Sequence, residues 1–374
     1  MRAMAGSHRA ASSPGEVLAV HTVPGSLCEP IPGKKEWVHC YACGHDCRIP
    51  PGRDGICRVR FNRGGTLMVP WGYVGALQCD PIEKKPFFHV LPGADALSFG
   101  MLGCDYHCGY CQNWLTSQTL RDPEALAPLT EVREDGLVEM ALERGAQIIA
   151  STYNEPLITS EWAMSVFRAA RARGLLTAYI SNGNGTRRVL DRILTELDLY
   201  KVDLKSFRQA RYRQLGGVLD RVLETITRLA AEDVWLEVVT LVVPGFNDST
   251  EELREIAGFL ASLSLDIPWH VTAFHQDYKM TGTDNTGAGT LRRAVQIGRE
   301  AGLHFVYAGN LPRLLEGGED TRCPNCSALI IRRHGYRILE NRLLKGHCPD
   351  CCAAIPGFWE RPLGAQEKDS PRPL

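Results

Sequence analysis

The sequence lacks a hydrophobic run that could cross a membrane. Of its 374 residues 44% are hydrophobic, yet no uncharged apolar stretch approaches the ~18 residues that a spanning helix needs. Residues 1–24 also lack the continuous apolar core of a signal peptide. We therefore expect a cytoplasmic protein without a membrane partner.

The sequence also lacks an excess of charge of either sign. Its 42 Lys and Arg residues nearly balance its 43 Asp and Glu residues, and the formal net charge is −1. Overall charge thus gives no reason to expect a polyanionic partner such as nucleic acid. Internal repeats and low-complexity tracts are missing as well, and the length predicts one large domain with small attachments.

Cysteine, in contrast, is plentiful, with 14 residues. In a long chain without a signal peptide, so many thiols favour metal sites over disulfides. Cys28 and Cys79 stand apart from the others. The rest form three groups, which are Cys40, Cys43, Cys47 and Cys57; Cys104, Cys108 and Cys111; and Cys323, Cys326, Cys348, Cys351 and Cys352.

The middle group has the spacing C-x3-C-x2-C, with Tyr110 just before Cys111. Cysteine thiolates hold a [4Fe–4S] cluster by its iron corners, so three local thiols leave one iron open to a small chelating molecule. A structural zinc knuckle is the alternative. Zinc prefers a closed set of four ligands, and the next cysteine after Cys111 is Cys323, so we favour the cluster.

The first group, Cys40-x2-Cys43-x3-Cys47-x9-Cys57, predicts a small loop-rich module that wraps around a metal. So short a segment cannot form a hydrophobic core of its own. Zinc and an iron–sulfur cluster both fit four thiolates, and unconnected reduced cysteines are a further alternative.

The last group contains two C-x2-C pairs, Cys323 with Cys326 and Cys348 with Cys351. This spacing predicts a zinc ribbon, in which four thiolates close a tetrahedral shell and Cys352 is spare. An iron site of the rubredoxin kind is the main alternative. A basic run in the ribbon could contact a partner or simply form an exposed hairpin face; it comprises Arg332, Arg333, His334 and Lys345.

Between the cysteine groups, apolar segments alternate with helical patterns in the manner of βαβ units. Strands are predicted over residues 96–102, 147–153, 176–181, 199–204, 235–243, 269–274 and 304–307. Helices are predicted over residues 131–144, 160–173, 186–196, 218–231, 249–263 and 290–301, with Gly174 ending the second. The fold class is therefore α/β, with a partial parallel (β/α) barrel.

Each predicted strand is followed by a polar or glycine-rich cluster, and parallel barrels carry their chemistry at that end of the strands. Examples are Asn154 and Glu155 after the second strand, and Asp203 with Lys205 at the fourth. Residues 80–89 are expected to form a linker across the barrel mouth. Lys84 and His89 could meet substrate there, although a solvated charged run is the simpler interpretation.

The cluster motif, residues 80–89, Tyr153-Asn154-Glu155-Pro156, Ser181-Asn182-Gly183, Asp203-Leu204-Lys205, Pro244-Gly245-Phe246-Asn247-Asp248 and Trp269-His270-Val271 together resemble one group of radical S-adenosylmethionine (SAM) enzymes. This is the AmmeMemoRadiSam-system radical SAM enzyme, which is related to the pyruvate formate-lyase activating enzymes. The resemblance covers residues 37–310 and extends to the N-terminal four-cysteine module. It implies a barrel of the radical SAM type.

The resemblance also implies roles for single residues. Cys104, Cys108 and Cys111 would hold the [4Fe–4S] cluster, and the Tyr110 backbone would flank the adenine of SAM. Asn154 and Glu155 occupy the position that contacts the SAM amino group, although Tyr-Asn-Glu replaces the usual Gly-Gly-Glu. The ribose and carboxylate contacts and the contact to an anionic group would come from Ser181, Asn182, Asp203 and Lys205.

The predicted function is reductive cleavage of SAM to a 5′-deoxyadenosyl radical that takes hydrogen from a substrate, which the resemblance suggests is a protein or peptide. Reductive cleavage implies a flavodoxin or ferredoxin as electron donor. The resemblance also suggests a partner of the Memo family. The alternatives are a glycyl-radical-enzyme activase and a non-catalytic, metal-stabilised module that binds RNA or protein.

The predicted division of the chain has five parts. It comprises a flexible arm over residues 1–36, a Cys-rich metal-binding module and linker over 37–95, the barrel over 96–312, the zinc ribbon over 320–361 and a tail over 362–374.

Overall fold

A computed structural model describes residues 18–311 and 315–360. The predicted tail and the first part of the predicted arm lie outside these residues. Across the described ranges, no helix is both long and apolar enough to span a membrane.

The centre of the fold is an eight-stranded sheet in the order β16-β15-β14-β13-β12-β11-β9-β8. Seven neighbouring strands pair in parallel and β8 pairs with β9 in antiparallel fashion. The strands of this sheet are β8 (Ala76–Pro81), β9 (Asp95–Gly100), β11 (Ile148–Ser151), β12 (Leu176–Ser181), β13 (Leu199–Asp203), β14 (Trp235–Val242), β15 (Trp269–Ala273) and β16 (Val306–Gly309). The predicted α/β class with a largely parallel sheet is confirmed.

Helices alternate with the strands of this sheet along the chain, as expected for βαβ units. They are α1 (Trp114–Ser117), α2 (Glu134–Glu143), α3 (Ser160–Arg171), α4 (Arg187–Ile193), α5 (Gln209–Leu215), α6 (Leu219–Leu229), α7 (Thr250–Leu263) and α8 (Ala288–Glu300). In α6, Leu219, Val222, Ile226 and Leu229 are buried at the spacing of one helical face. The Ser249 side chain accepts a hydrogen bond from Glu252 N at 3.2 Å and so caps α7.

The predicted strands and helices of this region are confirmed to within a few residues at their ends. Gly174, which was predicted to end the second helix, follows α3 with a φ of 75°, where a residue without Cβ is favoured. The elements that were not predicted include the antiparallel edge strand β8 and the short helices α1 and α5.

The N-terminal region forms small antiparallel sheets against the barrel. Their strands are β1 (Thr22–Pro24), β2 (Cys28–Pro30), β3 (Val38–Cys40), β4 (Cys47–Ile49), β5 (Phe61–Arg63), β6 (Thr66–Pro70) and β7 (Tyr73–Val74), which pairs with β10 (Thr130–Glu131). Residues 18–36 are therefore more ordered than a flexible arm. One reason is that the amides of Ser26 and Leu27 both donate to Glu161 Oε1 in α3, each at 3.2 Å.

The C-terminal region is a three-stranded sheet of β17 (Thr321–Arg322), β18 (Leu329–His334) and β19 (Arg337–Asn341). Its apolar core is shared with the barrel. Ile330, Ile331 and Ile355 cluster with Phe88 of the linker and with Phe305 and Tyr307 at β16. The ribbon is therefore packed on the barrel and the linker together.

The linker lies at the opposite end of the strands from the one predicted. β8 runs down the edge of the sheet, so that Pro81 is opposite Asp95, the first residue of β9. The linker then crosses near the amino-terminal ends of the parallel strands. His89 is fully buried there and bonds through its ring nitrogens to Tyr307 Oη and to the Pro356 carbonyl, each at 2.6 Å.

The buried carboxylate of Glu237 in β14 holds the linker in place. It accepts hydrogen bonds from the amides of Phe88 and His89 at 2.9–3.1 Å, from Trp235 Nε1 at 3.0 Å and, at 2.6 Å, from the His270 ring. Burial raises the pKa of Glu237, but His270 more than offsets that effect, so the pKa is lowered overall. The carboxylate therefore stays charged and satisfies several buried donors at once.

We expect Glu237→Ala to lower the free energy of unfolding by about 3 kcal/mol, because the substitution leaves several buried N–H groups without an acceptor. Thermal unfolding followed by circular dichroism should show a Tm lower by about 5 °C or more. Glu251→Ala, at a side chain that is 82% exposed, is the control and should change stability little. An unchanged Tm in Glu237→Ala would contradict this role.

Candidate functional site

The loop with the central cysteines follows β9 at the carboxyl ends of the parallel strands. Asn154 Oδ1 accepts a hydrogen bond from Met101 N at 3.0 Å, and Gly103 N donates to the Thr116 carbonyl at 3.0 Å. Gly103 has a φ of 87°, and a Cβ there would lie 2.6 Å from a methyl carbon of Val59. The loop thus needs glycine at this position to turn towards the sheet.

The three thiols of this loop are held by local contacts. Cys104 Sγ accepts from Tyr106 N at 3.4 Å, and Cys111 Sγ lies 3.2 Å from Ser117 Oγ. Cys108 is buried, and burial raises the pKa of its thiol to about 12, although Lys205 opposes this. A metal bound by these sulfurs would have to displace their protons.

A cavity of about 370 Å³ opens beside two of these thiols. Cys108, Tyr110 and Cys111 line one end of it. Its wall consists of alternate residues on the inner face of the sheet, which are Lys201 and Asp203, Val239 and Leu241, His270 and Thr272, and Tyr307 and Gly309. Side chains two apart in a strand share a face, so four neighbouring strands present one continuous surface.

Asp203 lies between two lysines in this wall. Lys205 Nζ donates to Asp203 Oδ2 at 3.3 Å, and Lys201 Nζ donates to Oδ1. Burial raises the pKa of Asp203, but Lys201 and Lys205 outweigh it and lower the pKa to about 2. Lys205, whose charge acts on the Cys108 thiol, can bind an anionic group such as a carboxylate.

Other predicted SAM contacts are not among the described residues that line the cavity. These are Asn154, Glu155, Ser181 and Asn182. The Glu155 carboxylate instead accepts from Ser181 Oγ and Asn182 N, both at 2.7 Å, and from Leu157 N at 3.1 Å. Burial, and next the charge of Asp105, raise the pKa of Glu155 to about 8. The predicted contact of this carboxylate with the SAM amino group stays a prediction.

Asp105 joins the cluster loop to the strand-end loop after β12. Its carboxylate oxygens accept from Asn182 Nδ2 and Asn184 Nδ2, each at 2.8 Å. Asn182 therefore holds the side chain of Asp105, which directly follows Cys104.

Tyr153, which stands at the first position of the usual Gly-Gly-Glu, has a φ of 71°. This left-handed conformation costs a residue with a Cβ about 1–2 kcal/mol. Contacts hold it in place: Lys85 Nζ lies 3.3 Å from the Tyr153 hydroxyl and 5.0 Å from the ring centroid. Tyr153 lines the cavity, so the ring occupies space that glycine would leave open.

The far end of the cavity contains one predicted substrate contact and several residues that were not predicted to belong to the site. Lys84 lines it as a potential substrate contact, whereas His89 is buried away from it among Trp235, Phe305 and Trp359. The other lining groups there are Glu83, Lys85, Glu319 and Tyr336. The linker and the C-terminal sheet thus close the end opposite the cysteines, and only the folded structure could show that.

A segment after β15 covers the cluster loop from outside. Lys279 N donates to the Gly109 carbonyl at 2.9 Å, and the ring of Tyr278 stacks on that of Trp114 with centroids 5.1 Å apart. The Gln112 and His275 side chains meet at 2.9 Å. The predicted polar cluster after the sixth strand therefore lies against the cysteine loop.

The C-terminal cysteines form a compact tetrad. The Sγ atoms of Cys323, Cys326, Cys348 and Cys351 all lie within 4.8 Å of one another. Cys323 Sγ is 3.5 Å from Cys351 Sγ, and Cys326 Sγ is 3.7 Å from Cys348 Sγ. Tetrahedral Zn²⁺ with Zn–S bonds of about 2.3 Å requires sulfurs about 3.8 Å apart. These thiols can therefore hold one metal ion.

Comparisons with known proteins agree with this geometry. A family model described as the radical SAM superfamily matches residues 100–260. An uncharacterised protein of Methanocaldococcus jannaschii is 36% identical over 299 residues, which is 79% of this chain and 88% of the relative. The pyruvate formate-lyase 1-activating enzyme of Escherichia coli K12 is 26% identical over 236 residues, which is 58% of this chain and 93% of the relative.

Among solved structures, a domain of pyruvate-formate lyase-activating enzyme from Bacteroides vulgatus has 19% sequence identity and a TM-score of 0.40. The match covers 44% of this chain and 100% of that domain.

Glu319, at the far end of the cavity, should make stability depend on pH. Burial raises the pKa of its carboxyl from 4.5 to about 7. Between these pH values the folded protein keeps a proton that the unfolded chain has lost, so the stability that this group contributes falls as pH rises. Glu319→Gln should flatten the Tm profile from pH 4.5 to 7, whereas Glu316→Gln, at an exposed position, should leave it unchanged. An identical slope in wild type and Glu319→Gln would refute the assignment.

Proposed function

We propose that this chain, which belongs to the radical SAM superfamily and is homologous to pyruvate formate-lyase activating enzymes, cleaves SAM reductively and takes hydrogen from a protein or peptide substrate. The observation that carries the proposal is the cavity that Cys108 and Cys111 line together with Asp203 and Lys205. It combines a place for a cluster with a charged binding wall next to it.

The residues at the cysteine loop fit a [4Fe–4S] cluster. Three thiols lie on one loop and two of them open onto the cavity. Among the described residues other than its chain neighbours, only Met280 comes within 4 Å of a Cβ added to Gly109, at 3.6 Å. Cys104, Cys108 and Cys111 would hold the cluster. When bound, it would supply the single electron that splits SAM into methionine and the 5′-deoxyadenosyl radical.

The chain's own residues bind and orient the cosubstrate. Lys205 donates to the carboxylate of SAM, and Asp203 keeps that lysine charged and in position. The Tyr110 backbone flanks the adenine, and the Tyr110 ring is fixed by an edge contact with Phe246, with centroids 5.8 Å apart. Val239 and Leu241 give the wall an apolar middle, which excludes water from the reacting atoms.

Relatives support a macromolecular substrate. By their names, the similar proteins activate pyruvate formate-lyase, isethionate sulfite-lyase and 4-hydroxyphenylacetate decarboxylase. For this chain, too, we propose a protein or peptide substrate, a flavodoxin or ferredoxin as electron donor and a cytoplasmic location. Membership of the AmmeMemoRadiSam system and a Memo-family partner stay predictions, as does zinc as the metal of the C-terminal tetrad.

The similarity to activating enzymes also supports the narrower alternative of a glycyl-radical-enzyme activase. That activity would produce an EPR-visible glycyl signal on a partner enzyme. Tight RNA binding with a steep salt dependence and without SAM turnover would favour the non-catalytic alternative instead.

The decisive test uses protein that is reconstituted anaerobically with iron and sulfide and then mixed with SAM and dithionite. Wild-type protein should form 5′-deoxyadenosine, and Cys108→Ala should form none because the cluster loses one of its three ligands. Cys79→Ala, at a half-buried cysteine outside the three groups, is the matched control and should be fully active. Absence of product from wild type, or equal yield from Cys108→Ala, would overturn the proposal.

Lys205→Gln should weaken SAM binding at least about tenfold, because it removes a charged hydrogen bond to the carboxylate. Equilibrium dialysis of SAM against reconstituted protein measures this directly. Lys34→Gln, at an exposed position, should bind SAM as wild type does. Unchanged affinity in Lys205→Gln would remove this residue from the site.

A further inference from the structure

We infer that Cys40, Cys43, Cys47 and Cys57 hold an iron–sulfur cluster rather than a zinc ion, and that this second cluster is the entry point for the electron used at the SAM site. The assignment of a cluster to these four cysteines rests on the geometry around them. The electron-transfer part rests on the proposed function.

The four cysteines converge through the N-terminal hairpin. Cys40 in β3 is directly opposite Cys47 in β4. Cys43 lies in the turn between them, where its carbonyl accepts from Asp46 N at 3.0 Å. The segment that leads to Cys57 returns to the same place, since a Cβ on Gly55 would lie 3.7 Å from Cys47 Sγ. Three of the four thiols are almost fully buried, namely Cys40, Cys43 and Cys57.

The separation of the sulfurs favours a cluster over a single ion. In the part of the chain that the structure describes, the C-terminal tetrad is the one set of three or more possible ligands whose atoms all lie within 4.8 Å of one another. The N-terminal four do not meet that spacing, and neither do Cys104, Cys108 and Cys111. Sulfurs that each bind a different iron stand farther apart than sulfurs that share one Zn²⁺. Both groups therefore exceed the spacing of the ribbon, which fits sulfurs that bind different irons and does not fit four sulfurs on one Zn²⁺.

A buried cation contacts this group. Arg60 Nε donates to Cys40 Sγ at 3.2 Å, and its terminal nitrogens bind both oxygens of Glu161, each at 2.7 Å. The Arg60 guanidinium is charge-paired with Glu161, and its remaining N–H group is held on a sulfur of this group. Hydrogen bonds to cluster sulfurs also tune the reduction potential.

The group lies directly against the SAM-site loop. One side chain, Arg121, bridges them: Nη2 donates to the Ile56 carbonyl at 2.6 Å and Nη1 to the Cys104 carbonyl at 2.7 Å. Ile56 directly precedes Cys57 of the N-terminal group, and Cys104 is the first cysteine of the SAM-site loop. A further link is His45, whose Nε2 lies 3.2 Å from the carbonyl of Asp105.

The redox step is a one-electron transfer without exchange of atoms. A flavodoxin or ferredoxin is oxidised by one electron, the N-terminal cluster is reduced by it, and reoxidation of that cluster passes the electron to the SAM-site cluster. One electron is used for each SAM that is cleaved.

The test isolates the N-terminal site in the full-length chain. The variant Cys104→Ala/Cys108→Ala/Cys111→Ala is reconstituted anaerobically, and its iron, sulfide and zinc are counted. We expect about four iron and about four sulfide per chain for a [4Fe–4S] cluster, with about one zinc at the ribbon. Dithionite should then produce an EPR signal that SAM does not change. Zinc at about two per chain, with no iron, would overturn the proposal.

Matched variants in the same background assign the ligands. Cys43→Ala and Cys57→Ala should each lose most of the iron, whereas Cys28→Ala should keep it. Cys28 pairs with Cys40 in the sheet, but its Sγ donates to the Gly25 carbonyl at 3.6 Å. Loss of iron in Cys28→Ala, or retention in Cys43→Ala and Cys57→Ala, would refute the ligand set.

If the triple variant does not fold, the iron content of wild-type protein provides a second test. Two clusters predict about eight iron per chain, and one predicts about four. With both clusters reduced, their EPR signals should broaden each other, and unperturbed signals would refute the relay. One further outcome separates the two proposals. If the triple variant binds iron but wild-type protein forms no 5′-deoxyadenosine, the proposed function is wrong and the N-terminal cluster site is retained.

Discussion

The shape of the cavity depends on the hydrogen bonds that the buried Glu237 carboxylate accepts. This carboxylate lies inside the sheet on β14 and accepts hydrogen bonds from the linker amides of Phe88 and His89 as well as from His270. Arg333 of the ribbon donates in turn to the Phe88 carbonyl at 2.7 Å. Barrel, linker and ribbon thus meet at one buried charge. Because a lone buried carboxylate would be unstable, each donor that satisfies it also fixes the wall of the cavity.

The alternation of apolar segments and helical patterns was enough to predict most of the barrel, because the parallel strands are largely buried and the longer helices each bury one apolar face. β8 escaped prediction since it is a partly exposed edge strand of six residues, too short for its pattern to stand out from the charged segment that follows it. The position of the linker was equally hidden. Its amides are satisfied by Glu237, a partner far along the chain that no local pattern reveals.

The candidate site shows the same limit at the level of single side chains. Ser181 is paired with Val202, whereas its neighbour Ile180 is paired with Lys201 and lines the cavity. A shift of one residue moves a side chain to the other face of the sheet, so knowing that a strand ends at Ser181 does not say which way that side chain points. Asp203 and Lys205 do line the cavity, as suits charged groups at a strand end that need a partner or an opening, and their contact with SAM stays a prediction.

The antiparallel direction of β8 has a consequence for self-association. An open parallel sheet leaves unpaired backbone groups at both edges, where a second chain could add a strand. β8 forms one edge of the sheet and carries the charged Asp80 followed by Pro81, a residue unable to donate to a further ladder. On the other side, Ala308 N of β16 donates to the Gly318 carbonyl at 2.8 Å, so the segment that leads into the ribbon shields that edge. The two edges of the sheet are therefore poor templates for a further strand, which protects the chain against edge-to-edge aggregation.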